Sequence, residues 1–349
     1  MTRPPQRSWE PAPADRLRCC DLAAATLTPR LAALHRAVGR TGAGGDPEGV
    51  HDTRVAGRRL RSAVRAFRDC LDPSAAELAA ALRELGGLLG PARDAEVRLD
   101  RLGEVLPPLA VAVDRSDEVV PSAGGHAIVI ARPGAAAPLD RRGQAHAALR
   151  HLLDRAHEAV AETRLQAAGA LPTLLPLLGR TPPILRGHPG SRSARALARR
   201  RLRAPFRRAA TYGAAPPVGD QAAPGDPAPP GGPPGAALHS RRIAVKRLRY
   251  GLECFGQVLP LVHRDCLAEL RGIQDLLGHH HDLLVLAAWV HDEGRAAPPT
   301  LRPALRRQEV RIAHAGHGVA DGVVAELERL DGAGYWPSAA AACLRPLGG

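Results

Sequence analysis

One block of this chain occurs twice. VHDTRVAGRRLRSAVRAF starts at Val50 and LHSRRIAVKRLRYGLECF starts at Leu238, which aligns His51 with His239 at an offset of 188 residues. The same offset carries Leu89-Gly90 onto Leu277-Gly278 and Asp94 onto Asp282, with no gap between the blocks. Agreement over two helical patterns and the turn read between them predicts two equivalent halves, duplicated and packed face to face.

Placed on a helix at about 100° per residue, each block has two faces. In the first, His51, Arg54, Arg58, Arg61 and Arg65 fall in a narrow arc, and Ala56, Leu60, Val64 and Phe67 lie opposite. In the second, His239, Arg242, Lys246 and Arg249 repeat the basic arc, and Ala244, Leu248, Leu252 and Phe255 the apolar one. Like charges three and four residues apart repel by a few tenths of a kcal/mol per pair. A helix built only for stability would intersperse Glu, and the first block has none; its one acid, Asp52, sits near the N-terminus, where the helix dipole favours it. An anion lying along the stripe relieves the repulsion, and arginine's planar fork suits phosphate oxygens. Arg59 and Arg247 flank the stripes as a candidate extension. So does a second Arg-dense helix, in which Arg195, Arg199, Arg203 and Arg207 recur every four residues and Pro205 marks a candidate kink or end.

Charge supports a polyanionic partner. The 349 residues hold 48 Lys+Arg against 35 Asp+Glu, a formal charge of +13, and Lys246 is the only lysine. Arg-, Ala-, Gly- and Pro-rich composition also follows from GC-rich coding, so the clustering of the cations carries more weight than their number. Hydrophobic residues make up 45% of the chain but aromatics only 3%, so Leu, Ala and Val must fill the core. None of the six cysteines forms a C-x-x-C pair, the opening MTRPPQRSWEPAPADR has no apolar signal region, and no apolar run approaches the ~18 residues a membrane span needs. The expectation is a cytoplasmic chain with reduced thiols.

Periodicity predicts helices at about 15–38, 49–71, 74–89, 92–102, 140–168, 170–178, 191–211, 237–258, 261–277, 280–293 and 301–331. Residues 1–14 and 336–349 read as tails, and the Pro/Gly segment 213–235 as a flexible loop. Residues 103–138 read as a variable connection with two β-like runs, LAVAV and HAIVIA. The fold class is all-α: one domain over 15–335, with half one at about 15–168 and half two at about 190–335.

The two blocks resemble the CHAD family, the conserved-histidine α-helical domain, whose halves each carry a motif like H-x-x-R-x-x-x-[RK]-R-L-R. Here it reads His51, Arg54, Arg58, Arg59, Leu60, Arg61 and His239, Arg242, Lys246, Arg247, Leu248, Arg249. The family's L-G-x-x-x-D element appears as LGPARD, Leu89 to Asp94, and LGHHHD, Leu277 to Asp282. The resemblance implies a helical bundle of two pseudo-twofold-related halves around a basic central groove or pore. It implies binding of inorganic polyphosphate, association with polyphosphate granules, and partnership with polyphosphate-metabolising enzymes. Some members are fused to a triphosphate tunnel hydrolase marked by E-x-E-x-K, which this sequence lacks, so it resembles a stand-alone binding module.

The expected polyphosphate-binding residues are His51, Arg54, Arg58, Arg61, Arg65, His239, Arg242, Lys246 and Arg249, with Arg59, Arg247, Arg199 and Arg203 as groove extensions. Asp94 and Asp282 are read as supports that cap a helix or orient neighbouring arginines. His51 and His239 have three readings: a phosphate donor, a capping or packing residue, and a metal ligand or phospho-acceptor. His279, His280 and His281 point in different directions on one helix and cannot chelate one ion together, so no metal site is assigned. No cofactor is expected. There is no Walker A loop, no nucleophile elbow and no carboxylate pair to hold Mg²⁺ beside the stripes, which argues against catalysis. The alternatives are non-specific nucleic-acid binding, disfavoured because base stacking needs aromatics, and an accessory or enzymatic role in polyphosphate hydrolysis.

Overall fold

The computed structural model describes residues 17–42, 48–105, 119–121, 127–129, 141–178, 193–210, 233–260 and 262–345. Among them are ten α-helices: α1 (Cys19–Gly42), α2 (Gly49–Phe67), α3 (Ala75–Leu88), α4 (Gly90–Val105), α5 (Arg141–Leu178), α6 (Ala194–Ala210), α7 (Pro233–Phe255), α8 (His263–Ala296), α9 (Arg302–Gly332) and α10 (Tyr335–Leu344). One small antiparallel ladder, β1 (Val119–Pro121) with β2 (Ala127–Val129), pairs Val120 with Ile128. Its second strand falls on the HAIVIA run; LAVAV, residues 1–16 and 213–232 lie outside the described residues. The class is all-α, as the periodicity predicts.

The apolar arcs of both blocks are core. Leu60, Val64 and Phe67 of α2 and Ala244, Leu248, Leu252 and Phe255 of α7 are buried. All three phenylalanines are interior, Phe206 of α6 being the third. Phe67 and Phe255, which are equivalent positions of the repeat, meet with ring centroids 5.2 Å apart. Two apolar clusters form. The larger joins α1, α2 and α3 to α6, α7, α10 and parts of α5, α8 and α9. The smaller joins Leu102, Ala148 and Leu152 to Leu283, Leu286, Leu305 and Ile312. Each cluster draws on both sequence halves. All six cysteines are buried free thiols.

The structure corrects several boundaries. The break expected between 277 and 280 is absent, and α8 runs through it unbroken. The first copy does break: α3 stops at Leu88 and α4 starts at Gly90. The reason is one residue. Pro91 has no N–H to donate to the preceding turn, whereas its counterpart, His279, has one. Pro205 does not end α6, and the patterns at 140–168 and 170–178 fuse into one 38-residue helix containing Pro172 and Pro176. Residues 233–235, read as loop, open α7.

The segment 336–349 is not simply a tail. Gly334, at φ 61°, ends α9 in the left-handed conformation that glycine adopts without strain, and α10 follows. Trp336 is then buried, with Nε1 donating to Asp331 at 2.6 Å and the Arg241 guanidinium 5.1 Å from its ring centroid. The Ala-rich run after Trp336 has no polar face to show a helical period, which is why it does not announce itself.

Helices α6 and α7 approach closely at Gly251, where an added Cβ would lie 2.8 Å from Leu202 Cδ2. Gly251→Ala is expected to lower stability by about 1–3 kcal/mol through overpacking. A chemical-denaturation midpoint equal to wild type would show that Leu202 yields freely.

Candidate functional site

One arginine in each stripe lies near the aspartate of its own half's L-G-x-x-x-D element. In half one, Arg54 of α2 lies 3.6 Å from Asp94 of α4. Space for it is set by Gly90, where a Cβ would sit 3.2 Å from Arg54 Nη1. The glycine of the L-G element therefore clears room for this arginine, although its counterpart Gly278 meets nothing within 4 Å. In half two, Asp282 of α8 feels both Arg242 and Arg101, and Arg101 Nη2 donates to it at 3.4 Å. Burial pushes the Asp282 carboxyl above its ordinary value, and the two arginines pull it back.

His239 is not at a helix start. It lies in the second turn of α7, buried, with its ring centroid 5.5 Å from that of His281. Together with Arg242, His280, Leu238, Leu277 and Leu284 the two rings line a small cleft between α7 and α8. His280 is held by the Gly316 carbonyl of α9, 3.1 Å from Nδ1. His51 is half-buried in the first turn of α2.

The His281 environment gives a pH prediction. Burial first, then Arg242, His239, His280 and Lys246, hold its imidazole down to about 3 from an ordinary 6.5. The unfolded chain thus takes up a proton that the folded chain refuses. This contribution to stability is complete above pH 6.5 and is lost progressively as pH falls toward about 3. Asp282, its carboxyl raised by burial, acts in the opposite direction and is common to wild type and the His281→Gln variant. Between pH 7 and 5 wild type is expected to lose about 2 kcal/mol more stability than His281→Gln. Parallel losses in urea titrations at the two pH values would contradict this.

The remaining stripe residues divide. Arg58 and Lys246, at equivalent positions, are half-buried, and the Arg58 guanidinium stands 5.6 Å from the Tyr250 ring centroid across the α2–α7 contact. Arg61 runs past Gly86 of α3, with Nη1 3.9 Å from where a Cβ would be. Arg65 and Arg59 are exposed, and Arg247 is half-buried. Arg249 does not stand on an open cationic face. It is only 8% exposed, donates to Gln274 at 2.8 Å and Glu253 at 2.9 Å, and stacks 4.5 Å over Tyr250. Glu253 is the counterpart of Arg65, so the second stripe meets an acid where the first carries another cation.

On α6, Arg199 is half-buried and Arg203 exposed, while Arg195 is buried and donates to the Arg345 carbonyl at 2.8 Å. Arg200 and Arg201 both bind Asp69, just after α2. These pairs tie α6 to its neighbours.

Arg98 and Arg101 of α4 were not among the expected residues. They follow Asp94 at four and seven positions, on the same helix face, and that spacing was the signal available in the sequence. Among the described residues no group of three or more His, Cys, Asp or Glu side chains is placed to hold a metal ion, and no helix is long and apolar enough to cross a membrane.

Comparison with known proteins completes the description. The sequence model of the CHAD domain matches residues 25–291. Two similar solved structures are the crystal structure of the CHAD domain from the plant Ricinus communis and a structure of PptA from Streptomyces chartreusis. The first aligns with a TM-score of 0.57 at 22% identity, covering 93% of this chain and 96% of that one. The second aligns with a TM-score of 0.54 at 19% identity, covering 89% and 98%. At these identities the likeness concerns the fold. No curated protein matches the sequence.

Proposed function

This chain belongs to the CHAD domain family, which is associated with polyphosphate binding, and from that premise we propose that it binds inorganic polyphosphate through the Arg, Lys and His side chains of α2 and α7. The observation that carries this reading is the duplicated arginine–aspartate arrangement, Arg54 with Asp94 and Arg242 with Asp282, on helices whose opposite faces are core. Asp94 restrains Arg54, 3.6 Å away, so that its charge is presented in a fixed place and less side-chain entropy is lost on binding.

Binding rather than chemistry is the proposed role, with polyphosphate granules and polyphosphate-metabolising enzymes as the proposed setting. The acids nearest the stripes are engaged with arginines, which would compete with Mg²⁺ for the same oxygens.

A nucleic-acid partner fits less well. Among the described aromatics Phe67, Phe206, Phe255, Tyr250 and Trp336 are buried and Trp289 and Tyr335 half-buried, which leaves little ring surface for base stacking. Competition tests the choice. Polyphosphate is expected to displace single-stranded DNA at far lower phosphate concentration than the reverse, with affinity falling steeply as salt rises. Equal displacement in both directions would favour a generic basic surface.

A further inference from the structure

Four of the six cysteines stand in two pairs. The Cys19 and Cys70 thiols are hydrogen-bonded to one another, and so are those of Cys266 and Cys343. The members of each pair are far apart in sequence, so no C-x-x-C spacing announces them. All four sulfurs are free thiols inside the larger apolar cluster.

The surroundings of the first pair divide the two sulfurs by role. Cys19 opens α1, where the N–H groups of the first turn favour a negative charge. Its Sγ donates to the Ser193 carbonyl, beside the start of α6, at 3.1 Å and receives the Cys70 thiol. Cys70 closes the 3-10 turn Arg68–Cys70 that follows α2. Arg200 of α6 lies within electrostatic reach of Cys19 and Arg201 of Cys70, and both arginines bind Asp69. The hydrogen bond from Cys70, then Arg200, hold the Cys19 thiol below its ordinary value against burial and Cys20. The same bond, then burial, the Cys19 charge and Asp69, push Cys70 above it. One sulfur is therefore set to be a thiolate and its neighbour to stay a thiol. The other cysteines differ. Cys266 faces an acid, Glu269, where Cys19 faces Arg200. Cys20 points to Asp21 at 3.7 Å, and burial pushes Cys254 up to about 11.

We propose that Cys19 and Cys70 form a peroxide-sensitive dithiol site that closes into a disulfide and ties the start of α1 to the end of α2. The oxidant is a hydroperoxide. The Cys19 thiolate attacks its O–O bond; an S–O bond forms, the O–O bond breaks, and the departing oxygen takes up a proton as water. Cys70 then attacks the Cys19 sulfur. The S–S bond forms, the S–O bond breaks, and the hydroxyl leaves as a second water with the proton of the Cys70 thiol. Two thiols lose two hydrogens and two electrons, and one peroxide becomes two waters. Both sulfurs are buried, so the oxidant enters when the first turn of α1 opens locally, an event that costs less free energy than global unfolding. The site stands apart from the basic stripes and does not depend on what α2 binds.

The test exposes the full chain, reduced and then freed of reductant, to a small molar excess of hydrogen peroxide in native buffer. Remaining thiols are blocked with N-ethylmaleimide at intervals, and unreduced digests are mapped by mass spectrometry. A Cys19–Cys70 linked peptide is expected to appear about tenfold faster than a Cys266–Cys343 one, because the rate follows the thiolate fraction. Cys70→Ser is expected to stop at a dimedone-reactive sulfenic acid on Cys19, and Cys19→Ser to leave Cys70 a thiol. Closure is expected to raise the melting temperature by about 4–8 °C, reversibly with dithiothreitol. That shift is read in Cys266→Ala, in which the second pair cannot contribute. Complete blocking of Cys19 and Cys70 by the maleimide after peroxide, or earlier closure of Cys266–Cys343, would overturn the site. A closed pair with an unmoved melting temperature would overturn the tie between α1 and α2. The wild-type time course alone decides the first question, so a folding defect in either serine variant does not blunt it.

Discussion

Reversing Arg58 and Lys246 together to Glu is expected to weaken polyphosphate binding by about 100- to 10,000-fold at moderate salt. The estimate takes about 1.5–3 kcal/mol for each charge-assisted contact and about 1.4 kcal/mol per tenfold in affinity. These two residues are the same position in the two copies. Lys246 lies close enough to His281 to help hold its imidazole neutral, and Arg58 projects across the α2–α7 contact to Tyr250. Arg58 therefore stands where the halves meet. Reversal also plants two carboxylates among arginines and would lower the salt dependence of whatever binding remains. Loss of the Arg58–Tyr250 contact costs only about 0.5–1 kcal/mol, so the fold is expected to survive. Affinity within a factor of about three of wild type would mean that the anion does not lie along these stripes.

Truncating Phe67 to Ala is expected to cost about 3–5 kcal/mol of stability. Phe67 is fully buried and its ring meets that of Phe255, its repeat counterpart, at an interplanar angle of 58°. Removing the ring leaves a cavity in a core built mainly of Leu, Ala and Val. Domains of this kind are stable by only about 5–15 kcal/mol, so the loss would be a large share of the total. Phe255→Ala is expected to behave alike, and the double variant to lose less than the sum, with a coupling of about 0.5–1.5 kcal/mol. Urea unfolding of the three variants measures this. Strict additivity would separate the two rings energetically and weaken the account of how α2 and α7 are joined.

Much of this was legible because the repeat and the helical period reinforce each other. The apolar arcs of both blocks became core, and Asp94 lies 3.6 Å from Arg54. What escaped depended on single residues or on distant partners. The unbroken α8 turns on a histidine standing where the first copy has Pro91. Helix α10 escaped because an alanine-rich run looks the same on every side, and only its docking through Trp336 and Asp331 makes it core. Arg249 read as one more cation on a basic arc because its spacing fits; Gln274, on the next helix, cannot be placed from the sequence. Arg101 needed the knowledge that α4 packs beside α8, which no local pattern carries.

The most direct test of the central claim is a titration of the purified protein with polyphosphates of increasing length at fixed moderate salt, beside single-stranded DNA at equal phosphate. Affinity is predicted to rise with length until the stripes are filled, and to exceed that for DNA at every matched length, because many weak contacts along one chain add. Binding of long polyphosphate no tighter than tripolyphosphate, or no tighter than DNA, would contradict it and leave the duplicated stripes as ordinary surface charge.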